Sequence, residues 1–162
     1  MSAAAGRVVG CLQGKDRNEA HARDRSDYGL TMGLAAAVAY AATQKDFGGP
    51  IRGGGTMSFG AIRSHGKYTK AGEFVVNKIP LHCTGQNTRG TFSTPNFVNV
   101  SSQRRFSYTF NFGSNQIVKV NGQFNSRGDK ATGTVKVSGV DFPGSTNCTT
   151  NGARDWKAQT YI

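Results

Sequence analysis

The residues of this chain that could do chemistry are few, and they suggest cross-linking and ion binding more than turnover. Of the three cysteines, Cys11, Cys83 and Cys148, two can pair and one is left over. Cys83 and Cys148 bracket the part of the chain that is patterned as a fold, whereas Cys11 lies in a polar N-terminal stretch, so the expected disulfide is Cys83–Cys148. No C-x-x-C occurs, and His21, His65 and His82 are scattered, so a four-ligand zinc site is not expected. Acid–base catalysis needs paired carboxylates or a histidine beside one. The patterned region offers only Glu73, Asp129, Asp141 and Asp155, well separated along the chain, and these suit turns and surface. There is no Gly-x-Ser-x-Gly elbow, and Gly53-Gly54-Gly55 leads into Thr56-Met57 rather than a phosphate-loop lysine. Asp129 and Asp141 lack calcium-loop spacing. The expectation is a protein that is not an enzyme, with no cofactor and no metal.

The cations are more suggestive. The net charge is +11. Residues 1–55 hold seven Lys/Arg against five Asp/Glu, and residues 56–162 hold thirteen against four, so the excess sits in the later part. Such a balance favours acidic partners: nucleic acid, phospholipid head groups or an anionic polymer. Arg104, Arg105, Lys119, Lys136 and Lys157 are the candidate polyanion-binding residues. Arg104-Arg105 precede Phe106, Tyr108, Phe110 and Phe112, which on a sheet surface could stack bases. Four aromatics on one strand face suit a core better, and little else is present to fill one. Arg127-Gly128-Asp129 is an RGD tripeptide at an expected hairpin tip, where Gly128 is explained by the turn itself.

The elements that must position these residues follow a period of two. Val75, Ile79, Leu81 and Cys83 share one parity. So do Phe106 to Phe112, then Val118, Val120, Gly122 and Phe124, then Val135 and Val137, and finally Trp156, Ala158 and Ile162. Such alternation marks half-buried antiparallel strands. Turn signals separate them at Thr84-Gly85, Phe112-Gly113-Ser114-Asn115, Ser126-Arg127-Gly128-Asp129 and Asn151-Gly152. Six to eight strands at this spacing predict an all-β, antiparallel sandwich of Greek-key or jelly-roll type, or a barrel. Cys83 should face inward with Ile79 and Leu81, and the bond to Cys148 would pin the last strand.

Residues 1–29 are expected to form a disordered tail and 30–43 a short Ala-rich helix. Gly48-Gly49-Pro50 and Gly53-Gly54-Gly55 read as a linker. The expected division is therefore an arm over 1–55 and a β-domain over 56–162. No apolar run is long enough to span a membrane. Leu30–Ala42, ending in Ala39-Tyr40-Ala41, looks like the core of a secretory signal, although it starts far along the chain and behind mixed charges.

Several motifs then fall in a recognisable order: Ile79-Pro80-Leu81-His82-Cys83-Thr84-Gly85, Val120-Asn121-Gly122-Gln123-Phe124, Ser126-Arg127-Gly128, Ala131-Thr132-Gly133-Thr134-Val135, Cys148, and Asp155-Trp156-Lys157-Ala158. Over about residues 70–160 this resembles small exported actinobacterial β-sandwich proteins of uncharacterised function. The resemblance implies fold and export, and no activity. The leading expectation is a non-enzymatic, extracytoplasmic or particle-associated module (secreted, cell-envelope or virion) with a structural or binding role. Its partners would be an anionic polymer or other subunits of an assembly. The alternative is a polyanion- or nucleic-acid-binding β-barrel.

Overall fold

Eleven strands account for most of the computed structural model, which describes residues 41–113 and 115–161. They are β1 (Thr43–Pro50), β2 (Thr56–Ser64), β3 (Lys67–Gly85), β4 (Thr88–Ser93), β5 (Phe97–Asn99), β6 (Arg105–Gly113), β7 (Gln116–Phe124), β8 (Lys130–Ser138), β9 (Val140–Phe142), β10 (Ser145–Thr149) and β11 (Arg154–Thr160). All pairings are antiparallel, as the alternation predicts. The strands follow one path, β6-β7-β8-β11-β1-β2-β3-β10-β9, with β4 and β5 on the other edge of β3.

This sheet curls nearly into a barrel. On one side β10 and the residue after it come against β8: the Thr149 hydroxyl donates to the Val137 carbonyl at 3.0 Å, and the Val137 N–H donates to the Thr150 hydroxyl at 3.1 Å. On the other side the Tyr108 hydroxyl of β6 meets Thr94 at 3.1 Å and accepts from the Asn96 amide at 3.0 Å, which ties β6 to the β4–β5 connection. The pairing does not separate the strands into two stacked sheets.

The interior is filled by rings. Phe59 of β2 lies 5.0–6.0 Å, centroid to centroid, from Phe47, Phe74, Phe106, Phe124 and Trp156, which come from β1, β3, β6, β7 and β11. Around them pack Val118, Val120, Val135, Val137, Ile79 and Leu81, all essentially inaccessible. Aromatic side chains bury the most apolar surface per residue, so a short chain rich in glycine can still enclose a core.

Three expectations need correction. First, residues 43–55 are part of the fold. β1 runs in full register with β2 from Thr43↔Arg63 to Pro50↔Thr56 and meets β11 on its other edge. Its sequence, TQKDFGGP, hides this because Phe47 is its only large inward side chain. Gly49 lets β11 approach, since a Cβ there would stand 2.0 Å from the Lys157 carbonyl. Gly53-Gly54-Gly55 form a tight turn closed by Ile51 N–H to Gly55 O at 3.0 Å, each with φ between +86° and +119°. Only glycine takes three such angles in a row without strain. Second, the inward parity of β3 switches midway. Phe74 and Val76 point inward before a bulge at Asn77-Lys78, and Ile79 and Leu81 after it, which leaves Val75 half-exposed. Lys78 has φ +52°, and its N–H donates to the Thr91 hydroxyl. Third, Phe112 is 51% exposed, because β6 ends there, although its ring still meets those of Phe92 and Phe110. The tail expected over 1–29, almost all of the helix expected over 30–43, and Ile162 lie outside the described residues.

The Cys83–Cys148 disulfide joins β3 to β10 across 65 residues. Cys148 is fully buried and Cys83 half-buried, so Cys148 is the deeper of the two. A loop of that length restricts the unfolded chain by about 4 kcal/mol in the loop-entropy model.

Because Phe59 touches rings from five other strands, Phe59→Ala should lower the unfolding free energy by about 3–5 kcal/mol. Phe112→Ala, at the exposed strand end, should change it by less than about 1 kcal/mol. Urea titration of both variants checks this, and equal effects would refute the ring-centred core.

A basic cleft at one end of the barrel

Three connections meet at the end of the sheet where β6 and β8 begin. They are the β2–β3 turn with the start of β3 (Arg63 to Thr69), the β5–β6 loop (Asn99 to Arg104) and the β7–β8 loop (Asn125 to Gly128). Between them lies an open cleft of ≈ 780 Å³. Among the described residues its charged lining is Arg63, Lys67, Arg104 and Arg127, with no carboxylate. Thr69, Asn99, Ser101, Ser102, Asn125 and Ser126 add hydroxyl and amide groups. Four cations from three connections, with Asp129 beside Arg127 as a partial counter-charge, raise the local potential and favour an anion.

The loops are held firmly. Tyr68 lies on the aromatic core, stacked on Phe124 at 4.4 Å with its edge toward Phe47, and its hydroxyl donates to the Gly128 carbonyl at 2.8 Å. Burial raises the Tyr68 pKa above its ordinary 10.0; Arg63 opposes that shift and Asp129 adds to it. Within the β7–β8 loop the Asn125 side-chain oxygen accepts from Gly128 N–H at 2.8 Å and Lys130 N–H at 3.3 Å. The Asn125 amide donates to the Asp129 carboxylate at 2.6 Å, and that bond holds the Asp129 pKa below its ordinary value. The Arg-Gly-Asp tripeptide is therefore a braced turn: its glycine carbonyl and its carboxylate are both engaged inside the molecule, and Arg127 lines the cleft.

The β5–β6 loop closes in a similar way but is one residue shorter, Ser101 pairing with Arg105 where Asn125 pairs with Lys130. Arg104 N–H donates to Ser101 O at 2.8 Å, Ser101 N–H to Arg105 O at 2.8 Å, and Arg105 N–H to the Ser101 hydroxyl at 3.1 Å. This is a turn followed by a left-handed residue, a position that favours glycine. The β7–β8 loop has Gly128 there, at φ +73°, whereas the β5–β6 loop has Arg104, at φ +63°. A left-handed non-glycine residue costs on the order of 1 kcal/mol. The side chain presented to the cleft is what that strain leaves in place.

The five cations expected to bind polyanion do not form one site. Arg104 is in the cleft. Arg105 and Lys157 end a register row, Arg105↔Gln123↔Thr132↔Lys157, across the outer face of β6, β7, β8 and β11. Lys119 and Lys136 face each other directly on β7 and β8, farther toward the opposite end. A like-charged pair at that spacing is mildly unfavourable. Between these rows Ser107 donates to Asn121 at 2.8 Å, and the Asn121 amide reaches Thr134. Phe106 and Phe110 are core residues and offer no stacking face.

Sequence reasoning missed Arg63, Lys67 and Arg127 as partners of Arg104, because the cleft joins loops distant along the chain. The available signal was Ser64-His65-Gly66-Lys67, a two-residue hairpin turn that places Arg63 and Lys67 on one rim. The carboxylates take separate structural partners. Glu73 accepts from Gln44 at 2.7 Å, Asp141 from Gln116 and Asn147 N–H, and Asp155 faces Arg52 at 3.6 Å on the surface. Among the described residues no group of three His, Cys, Asp or Glu gathers to hold a metal ion, and no helix is long and apolar enough to cross a membrane. Comparison of the chain with protein-family models, with curated proteins and with solved structures finds no match.

The raised Tyr68 pKa fixes a sign. A group that holds its proton more tightly when folded stabilises the fold fully below its unfolded pKa and loses that contribution as pH rises through the folded value. Wild type should melt above Tyr68→Phe at neutral pH, by the equivalent of about 1 kcal/mol for the hydrogen bond, and the difference should shrink above about pH 10. Thermal melts of both proteins across that range check it; a gap that widens with alkaline pH contradicts it.

Proposed function

We propose that this protein is a non-enzymatic binding module that captures an anionic polymer in its basic cleft. The observation that carries this reading is the convergence of Arg63, Lys67, Arg104 and Arg127 on one cleft that no carboxylate lines among the described residues. The left-handed Arg104 supports it, since a turn that glycine would serve at lower strain carries a guanidinium instead. Guanidinium groups suit sulfate, phosphate and carboxylate because their planar donors match such oxygens in pairs. The nearly closed sheet favours the barrel form of polyanion binder over a stacked sandwich.

The Cys83–Cys148 bond supports an extracytoplasmic location, because disulfides persist in oxidising compartments. In this reading the protein works in a secreted, envelope or particle-surface setting, where the polymer is a ligand and the disulfide a staple.

Arg104→Gly separates binding from folding. It should leave the melting temperature unchanged or slightly raised, because the turn strain is relieved, while retention on immobilised heparin weakens. Arg63→Ala/Arg127→Ala should weaken retention further, and for wild type the retention should fall steeply with added salt. Elution of wild type and Arg104→Gly at the same salt concentration would falsify the cleft as the binding site.

A further inference from the structure

The cleft does not end at Arg104. This residue also borders a shallow groove beside Gln123, which continues over Lys130 and Thr132 and opens into a third depression that reaches Lys157. The register row from Arg105 through Gln123 and Thr132 to Lys157 crosses the same stretch, so its outer strands stand about 14 Å apart at ordinary strand spacing. Cations recur along this path at Arg104, Lys130 and Lys157, with the hydroxyl or amide of Thr132 and Gln123 between them. Two carboxylates border the path and both are engaged: Asp129, beside Lys130, accepts from Asn125, and Asp155, two residues from Lys157 on β11, faces Arg52.

We infer that the ligand is an extended, linear anionic glycan that leaves the cleft past Arg104 and lies along this groove to Lys157. The inference rests on the cleft as binding site and adds the direction and chemistry of the chain. An isolated small anion would need only the cleft. A groove with spaced cations and intervening polar side chains matches a polymer whose acidic groups recur between hydroxyls. Single-stranded nucleic acid fits less well, because sequence-tolerant binding of single strands relies on exposed rings for base stacking. The aromatic residue beside the cleft, Tyr68, has its ring stacked on Phe124 and its hydroxyl committed to Gly128. Two rings are largely exposed among the described residues: Phe112, at the opposite end of β6, and Tyr161, a lone ring over Gly48 beside Lys130, where stacking along a strand would need several.

The test measures affinities of a sulfated disaccharide and a sulfated dodecasaccharide, both heparin-derived, for wild type and Lys130→Ala/Lys157→Ala. The longer chain offers more registers, so the variant decides the matter and the length ratio alone does not. The expected result is a dodecasaccharide affinity about fivefold or more weaker in the variant, from two lost surface ion contacts. The disaccharide affinity should change much less, and the two proteins should melt together. Equal weakening for both lengths, or none, overturns the groove while leaving the cleft standing. If neither glycan binds wild type, groove and cleft both fall. If an oligodeoxythymidylate of matched charge displaces the dodecasaccharide at equal or lower concentration, the glycan assignment is overturned.

Discussion

The packing of rings around Phe59 is the constraint on which the rest depends. One side chain on β2 touches rings from β1, β3, β6, β7 and β11, so the distant parts of the sheet close on a shared centre. Backbone pairing alone cannot do this, because hydrogen bonds run only between neighbouring strands, whereas the curl of the sheet brings strands together that are not neighbours. The disulfide works at a different place. It joins β3 to β10, which already pair, and so reinforces one seam of the barrel without defining its centre.

The same core sets the end of the sheet that carries the basic cleft. Phe124 stacks on Tyr68, and Tyr68 reaches Gly128, so a continuous line runs from the buried rings to the loop carrying Arg127. Ser101 clamps the opposite loop and fixes Arg104 in a left-handed conformation. Cations on loose loops would spread apart by mutual repulsion and lose side-chain freedom on binding. Cations on braced loops keep their backbones in place, so less ordering remains to oppose binding. The cleft is thus a consequence of the packing beneath it.

How much of this was legible in the sequence depended on whether one strand face is buried and the other wet. β6, β7 and β8 meet that condition. Alternation alone places Phe106, Val118, Val120, Phe124, Val135 and Val137 inward, and they are buried. β1 does not meet it, since its inward positions are mostly glycine and polar residues, and a strand held by close backbone approach leaves little hydrophobic period. β3 breaks its own period at the Lys78 bulge, where one extra residue reverses parity and misplaces Val75. The Cys83–Cys148 pair was readable because Cys11 lay outside the patterned region. The cleft was not readable: Arg63, Arg104 and Arg127 come together only through the closure of the barrel, and sequence spacing carries no trace of that closure. Alternation marks Lys119 and Lys136 as outward cations, yet they face one another away from the cleft.

The central claim, that anionic polymer is held by the cleft at the β6–β8 end, is tested most directly by mapping backbone amide chemical shifts during titration with a heparin-derived disaccharide, short enough to report the cleft alone. The account predicts saturable shifts concentrated at residues 63–69, 99–104 and 125–130, with Lys119 and Lys136 little changed. Shifts centred on Lys119 and Lys136, or none at any residue under low salt, would contradict it.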